Sequence, residues 1–168
     1  MSALENKIKS TFGERLRVRV CGICIENGQI LLIHHKGLTK SGSLWAPPGG
    51  GMEYGEDAKE ALCREFLEET GLGIEVTEFL FVHEYLDKPL HGIELFFEVK
   101  RVSGKLKNGS DPEMGDDFQI ITATKFMPFE EIKQIPKASL HYVIQNITSL
   151  EPVLKLRCYF KFHWKCTN

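Results

Sequence analysis

Apolar positions along this chain repeat with two different periods. In LRVRVCGICIENGQILLIHHK, residues 16–36, two apolar and β-branched runs flank Asn27 and Gly28. That pair suits the positive φ angles of a two-residue turn, so the segment predicts a β-hairpin. IEVTEFLFVHEYL (74–86), GIELFFEVKRV (92–102) and QIITATKFMPF (119–129) also read as strands. From 56 to 70 the period is that of a helix, with acidic residues in the first turn and Gly71 at the stop. Shorter helical patterns cover LENKIKSTF near the start and PFEEIKQI and ASLHYVIQNITSL towards the end. The last stretch, VLKLRCYFKFHWKC (153–166), alternates and predicts a strand. Strands dominate and helices are few and unevenly placed, which predicts an α+β fold with a mixed sheet.

Composition changes this picture little. The 168 residues suffice for one domain over 1–168 with a full core and no disulfide staples. The apolar share of 42% and charged share of 26% are those of an ordinary globular protein. A net charge of −2 supplies no basic field for nucleic acid. The N-terminal segment holds no apolar run long enough for a signal peptide or a membrane span, which implies a cytoplasmic protein with no membrane contact. Among the five cysteines, Cys21 and Cys24 form a CxxC. A structural zinc site would need a second such pair, and a redox pair would open a helix; this one sits in a strand pattern. Buried or free thiols are expected. The Asn108 and Asn146 glycosylation patterns read as accidental without a secretory signal.

The helical segment 56–70 changes the picture most. On a helical wheel Leu62, Cys63, Phe66 and Leu67 form the apolar side. Glu65, Glu68 and Glu69 fall within a sector of roughly 100°, beside the small Ala58 and Ala61. Two carboxylates about 5.5 Å apart repel by roughly 3 kcal/mol at an effective dielectric of about 20. Such a group persists when its side chains splay into water or when a cation sits among them. Glu60 and Arg64, four apart, are spaced to pair.

Spacing beyond the helix decides between these readings. Gly50, then five residues, Glu56, then seven, Arg64-Glu65-Phe66, one more, Glu68-Glu69, one more, Gly71-Leu72 is a full match to the Nudix signature. By chance it arises about once in 10⁹ windows at ordinary residue usage. Through residues 50–72 the chain resembles the Nudix hydrolases, and the strands on either side agree with that family's α/β/α sandwich. The resemblance implies an Mg²⁺-dependent pyrophosphohydrolase, with Mn²⁺ able to substitute, acting on a nucleotide derivative. It implies Glu65, Glu68 and Glu69 as metal ligands, Glu65 or Glu68 as general base, and Arg64 and Glu56 as residues that orient the carboxylates. It also implies a backbone carbonyl of Gly49 or Gly50 as a metal ligand and a phosphate-closing loop there. Some members add an acid from a later loop, for which Glu113, Asp116 and Asp117 are candidates.

The chemistry accounts for these residue types. A diphosphate is anionic and repels both an attacking water and a carboxylate base. Hard divalent cations with oxygen ligands neutralise that charge and lower the pKa of bound water. Arg17, His34, His35 and Lys36 lie on or beside the first hairpin, where they could face phosphate oxygens. Trp45 is placed to stack on a base or to pack the loop. His83, Tyr85 and Pro89 lie where family members select substrate, and Pro89 points to ADP-ribose as the leading substrate. Nucleoside triphosphates, nucleotide sugars, RNA 5′ ends and a nucleotide-sensing module that does not cleave are the alternatives. At the tail, Leu154, Leu156, Cys158, Phe160, Phe162 and Trp164 alternate with a row rich in cationic side chains. So large an apolar row needs burial, in this chain's own core or against a second copy in a homodimer.

Overall fold

The structure is a computed structural model that describes residues 3–38, 42–110, 114 and 119–161. In chain order its elements are α1 (Ala3–Phe12), β1 (Leu16–Ile23), β2 (Ile25–Glu26), β3 (Gln29–Lys36), β4 (Ser43–Ala46), β5 (Gly49–Gly51), α2 (Ala58–Thr70), β6 (Leu72–Asp87), β7 (Leu90–Gly104), β8 (Ile121–Pro128), α3 (Phe129–Ile132), α4 (Tyr142–Gln145) and β9 (Tyr159–Lys161). One sheet runs β5-β1-β7-β6-β9. It is mixed: β1 lies parallel to β7 and antiparallel to β5, and β6 and β7 form a long antiparallel pair. A second sheet sets β3 between β8 on one side and β2 and β4 on the other.

The expected hairpin over 16–36 is split. Its turn forms, with Asn27 at φ 51° and Gly28 at φ 72°, but it joins only Ile25–Glu26 to the start of β3. β1 leaves for the other sheet. Burial explains the split: residues 20–24 are all buried, so β1 is covered on both faces and takes the central place a continuous apolar run favours. Cys21 and Cys24 accordingly point into different cores, and both thiols are free.

Those two cores make the layers. On one face Ala61, Leu62 and Phe66 of α2 pack with Val20, Cys24, Leu31, Leu72 and Val99. On the other, Cys21, Ile23, Phe81 and Phe96 pack with Ile132, Val143 and Ile144 of α3 and α4. The result is the α+β sandwich, with helices on both sides of a mixed sheet and an antiparallel one. No described helix is long and apolar enough to cross a membrane.

Three predicted helices change. α2 starts at Ala58 because Asp57 caps it: the Asp57 carboxylate accepts from the amides of Lys59 and Glu60, and Glu60 accepts from the Asp57 amide at 3.0 Å. Glu60 is thereby taken from Arg64, and the expected 60–64 pair does not form. The pattern over 128–135 yields only α3. The helix over 138–150 shrinks to a 3-10 turn at Lys137–Ser139 and to α4, since Leu140 is extended beside Trp45 and the His141 amide donates to the Trp45 carbonyl at 2.8 Å. The predicted tail strand begins as a 3-10 turn at Glu151–Lys155, opened by Pro152 and anchored by the fully buried Val153. Among the described tail residues only β9 forms a strand, parallel to β6 with Tyr159 opposite Val82. Phe162 to Cys166 lie outside the described residues.

Candidate active site

β5 and the second half of α2 meet at one edge of the larger sheet. The capping box and the left-handed Gly71 at φ 72° fix where α2 begins and ends, and so which way its acids point. Arg64 gathers them. Its Nε and Nη2 donate to the two oxygens of Glu56 at 3.1 and 2.7 Å. Nη1 donates to Glu65 at 2.9 Å and to Glu68 at 3.2 Å, and Nη2 also donates to the Gly51 carbonyl at 3.1 Å. All five donors of a guanidinium are engaged in this way.

Glu69 points across to β5, where its carboxylate accepts the Gly49 amide at 2.8 Å. The glycines are needed for this approach. A Cβ on Gly50 would stand 2.3 Å from the Glu65 carboxyl carbon, and Gly49 holds φ 147° with the Val20 carbonyl 2.0 Å from where its Cβ would be. Glu65 and Glu69 are buried, while the Glu68 side chain is 31% exposed. Burial lifts the Glu65 carboxyl to about 7, against the pull of Arg64 and Arg19. Glu56, by contrast, is held below the usual carboxylate range by its hydrogen bonds from Arg64.

Among Glu56, Glu65, Glu68 and Glu69, it is Glu65 whose burial outweighs the nearby positive charge. Arg64 is shared by three of them, and Arg19, whose Nη2 donates to the Gly49 carbonyl at 3.2 Å, also leans on another acid, Glu94. A set of hard oxygen donors short of counter-charge, with one carboxyl pushed up by burial, fits a divalent cation of the Mg²⁺ or Mn²⁺ type.

Residues outside the helix are placed less uniformly. Arg17 lies over the Phe12 ring at 4.3 Å. Lys36 is at the exposed end of β3. His34 contacts Ser43 at 2.8 Å and Thr122, and its ring packs on Trp45 at 4.9 Å. His35 is buried 4.0 Å from Glu69, its pKa lowered to about 3 by burial and nearby cations, so it is neutral. Trp45 packs against the core and the His34 ring. Pro89 sits in the β6–β7 turn and its carbonyl accepts the Glu14 amide at 2.8 Å, beside an open cavity of ≈ 600 Å³ lined by Lys9, Arg15 and Lys88. Tyr85 lies in the lower half of β6. Glu113, Asp116 and Asp117 lie outside the described residues.

Arg19, Glu94 and His141 join the site although no motif marks them. Glu94 had a signal: an acid inside the apolar run IELFF demands partners. Its Oε2 accepts from His83 at 2.7 Å and His141 at 2.9 Å, and its Oε1 lies 3.4 Å from Arg19. Burial alone would raise the Glu94 carboxyl, but His141, His83 and Arg19 hold it well below the usual range.

Known proteins resemble this chain in sequence and fold. An ADP-ribose pyrophosphatase of Methanocaldococcus jannaschii is 37% identical over 105 residues, 61% of this chain and 62% of its own length; the chain thus aligns with under two thirds of that relative. An RNA pyrophosphohydrolase of Roseobacter denitrificans is 30% identical over 79% of this chain and 84% of its own. Among solved structures, a MutT NUDIX hydrolase from Burkholderia pseudomallei superposes with a TM-score of 0.63 at 24% identity, covering 79% of this chain and 95% of that one. The model of the NUDIX domain matches residues 13–145, which spans the acids of α2, the β5 glycines and the β6–β7 pair alike, and the chain belongs to that family.

Proposed function

We propose that this protein is a divalent-metal-dependent pyrophosphohydrolase that cleaves the diphosphate bond of a nucleoside diphosphate joined to a second group, with ADP-ribose as its leading substrate. The observation that carries the reading is the convergence of Glu65 and Glu68 on Arg64 while Glu69 is tied to the Gly49 amide. Glu65, Glu68 and Glu69, with the Gly49 carbonyl, would hold Mg²⁺ or Mn²⁺, and the ion would offset phosphate charge and make a nearby water more acidic. Arg64 and Glu56 keep the carboxylates aimed. Glu68, the most exposed of the three, accepts the proton of the attacking water. Gly50 leaves room for the Glu65 carboxyl and lets backbone approach phosphate. Water adds at one phosphorus, the bridging P–O bond breaks, and ADP-ribose yields AMP and ribose 5-phosphate.

The choice of ADP-ribose rests on the archaeal relative at 37% identity. The broader alignment with an RNA pyrophosphohydrolase favours RNA 5′ ends as the second reading, against which stands a net charge of −2. Product release from ADP-ribose, nucleotide sugars, nucleoside triphosphates and 5′-triphosphorylated RNA, each with Mg²⁺ and with excess chelator, tests both. ADP-ribose cleaved fastest, and only with metal, is the expected result. A triphosphate preferred by about tenfold in kcat/KM would overturn the substrate, and full turnover in chelator would overturn the mechanism.

A further inference from the structure

On the sheet face away from α2, the cluster of Arg19, His83, Glu94 and His141 is not accounted for by the metal-binding reading. In the register of β1 with β7, Arg19 stands beside Glu94, and across β1 it stands beside Gly51 of β5. The arginine thus bridges a buried acid and the glycine strand. Its Nε lies 3.4 Å from Glu94 Oε1 and its Nη2 donates to the Gly49 carbonyl at 3.2 Å. Its Nη1 has no acceptor among the described residues, and the side chain is 30% exposed. Two N–H donors on a fixed cation therefore open to solvent where the acidic site begins, within the fields of Glu65 and Glu69.

The frame behind Arg19 is rigid. Glu94 Oε2 accepts hydrogen bonds from His83 Nδ1 and His141 Nε2 at 2.7 and 2.9 Å. His141 caps α4, its Nδ1 accepting the Val143 amide at 3.4 Å, and its own amide is held by the Trp45 carbonyl. The His83 ring stacks on Tyr142 at 5.4 Å and meets the His141 ring edge-on at 5.1 Å.

Two histidines and a glutamate within 4.8 Å of one another also have the composition of a metal site. The protons argue otherwise. With His141 Nδ1 accepting an amide, the proton of the neutral ring is on Nε2, the atom a metal would need bare. Both nitrogens lie at hydrogen-bond distance from one oxygen, the arrangement of two donors on one acceptor.

We propose that Arg19 binds a phosphate of the substrate through its free Nη1 edge, and that His83, Glu94 and His141 are the positioning residues that aim it. Guanidinium donors match phosphate oxygens in pairs. Arg19 then grips the diphosphate from the face opposite the α2 carboxylates and fixes which phosphorus faces the water. This inference rests on the diphosphate-hydrolase reading.

The test measures calorimetric binding of α,β-methylene-ADP, a non-cleavable diphosphate, in the presence of Mn²⁺, alongside cleavage kinetics and melting temperatures. Arg19→Ala should weaken binding by about tenfold or more and raise KM more than it lowers kcat. Millimolar guanidinium should restore part of the loss, a response that mere structural damage would not give. Arg19→Lys, which keeps the charge and guards against a misfolded alanine variant, should recover affinity only in part. Glu94→Gln should raise KM in the same direction. Wild-type binding by Arg19→Ala, in a protein that cleaves diphosphates, would overturn this inference alone. Failure of the wild type to cleave any diphosphate with metal would overturn the hydrolase reading and this inference with it. One equivalent of Zn²⁺ held by Glu68→Gln but not by Glu94→Gln would make the cluster a metal site and overturn the frame.

Discussion

Glu65 and Glu94 are both buried carboxylates about the same sheet, and their environments drive them in opposite directions. Glu94 is met by His83, His141 and Arg19 and is held ionised, well below the usual carboxylate range. Glu65 shares one arginine with Glu56 and Glu68 and rises to about 7. Burial costs each carboxylate its water; the supply of positive charge decides the outcome. A carboxylate with its partners built in is a structural support. One left short is stable as an anion only when a cation arrives, and that shortage is the ground for the proposed metal site.

The contrast can be broken from either side. Glu94→Ala strands two histidines and a guanidinium without their acid and is expected to cost about 3–5 kcal/mol in denaturant unfolding. Little loss would mean that the frame is not load-sharing. Glu68→Gln, in contrast, should lower kcat by at least about 10²-fold while thermal stability holds or rises, because one repelling charge leaves the cluster. Wild-type turnover by that variant would remove Glu68 from its assigned role.

The pH response sharpens the comparison. Glu65 has a folded pKa of about 7 against an ordinary value of 4.5, so between those values the native state binds more protons than the unfolded one. Its contribution to stability is present below about 4.5 and is lost as pH rises through about 7. Melting of chelated wild type should therefore fall, relative to Glu65→Gln, between pH 5.5 and 8, and Mn²⁺ should stabilise wild type more at the upper pH. Parallel curves for the two proteins would contradict the charge shortage. The smallest effect is expected at Asp57, an acid on the same helix that serves only as its cap. Asp57→Ala should lower the melting temperature modestly and leave Mn²⁺ affinity unchanged.

How much of this was legible in the sequence follows the same division. The helix acids, their glycines and Arg64 were visible because they lie within 23 residues and their spacing is set by one helix and one loop. The fold class was visible too, since strands such as 74–86 and 92–102 show their period locally. One Arg64 partner was misread, because a capping box spanning Asp57 to Glu60 claimed Glu60 first. The 16–36 hairpin was overextended, because whether a strand stays with its turn partner or joins β7 depends on residues far along the chain. Arg17 drew notice and Arg19 did not, though both point to one face of β1; only the register with Glu94 separates them. The C-terminal helix failed where backbone pairing between Trp45 and Leu140 overrode a local pattern.

Titration of Mn²⁺ into the chelator-stripped protein, followed by the loss of the free-ion paramagnetic resonance signal, tests the central claim most directly. Wild type and Glu94→Gln should take up the ion with similar affinity, and Glu65→Gln and Glu68→Gln should each weaken uptake by about tenfold or more. Equal uptake by all four proteins would show that the undersupplied carboxylates of α2 are not what holds the metal.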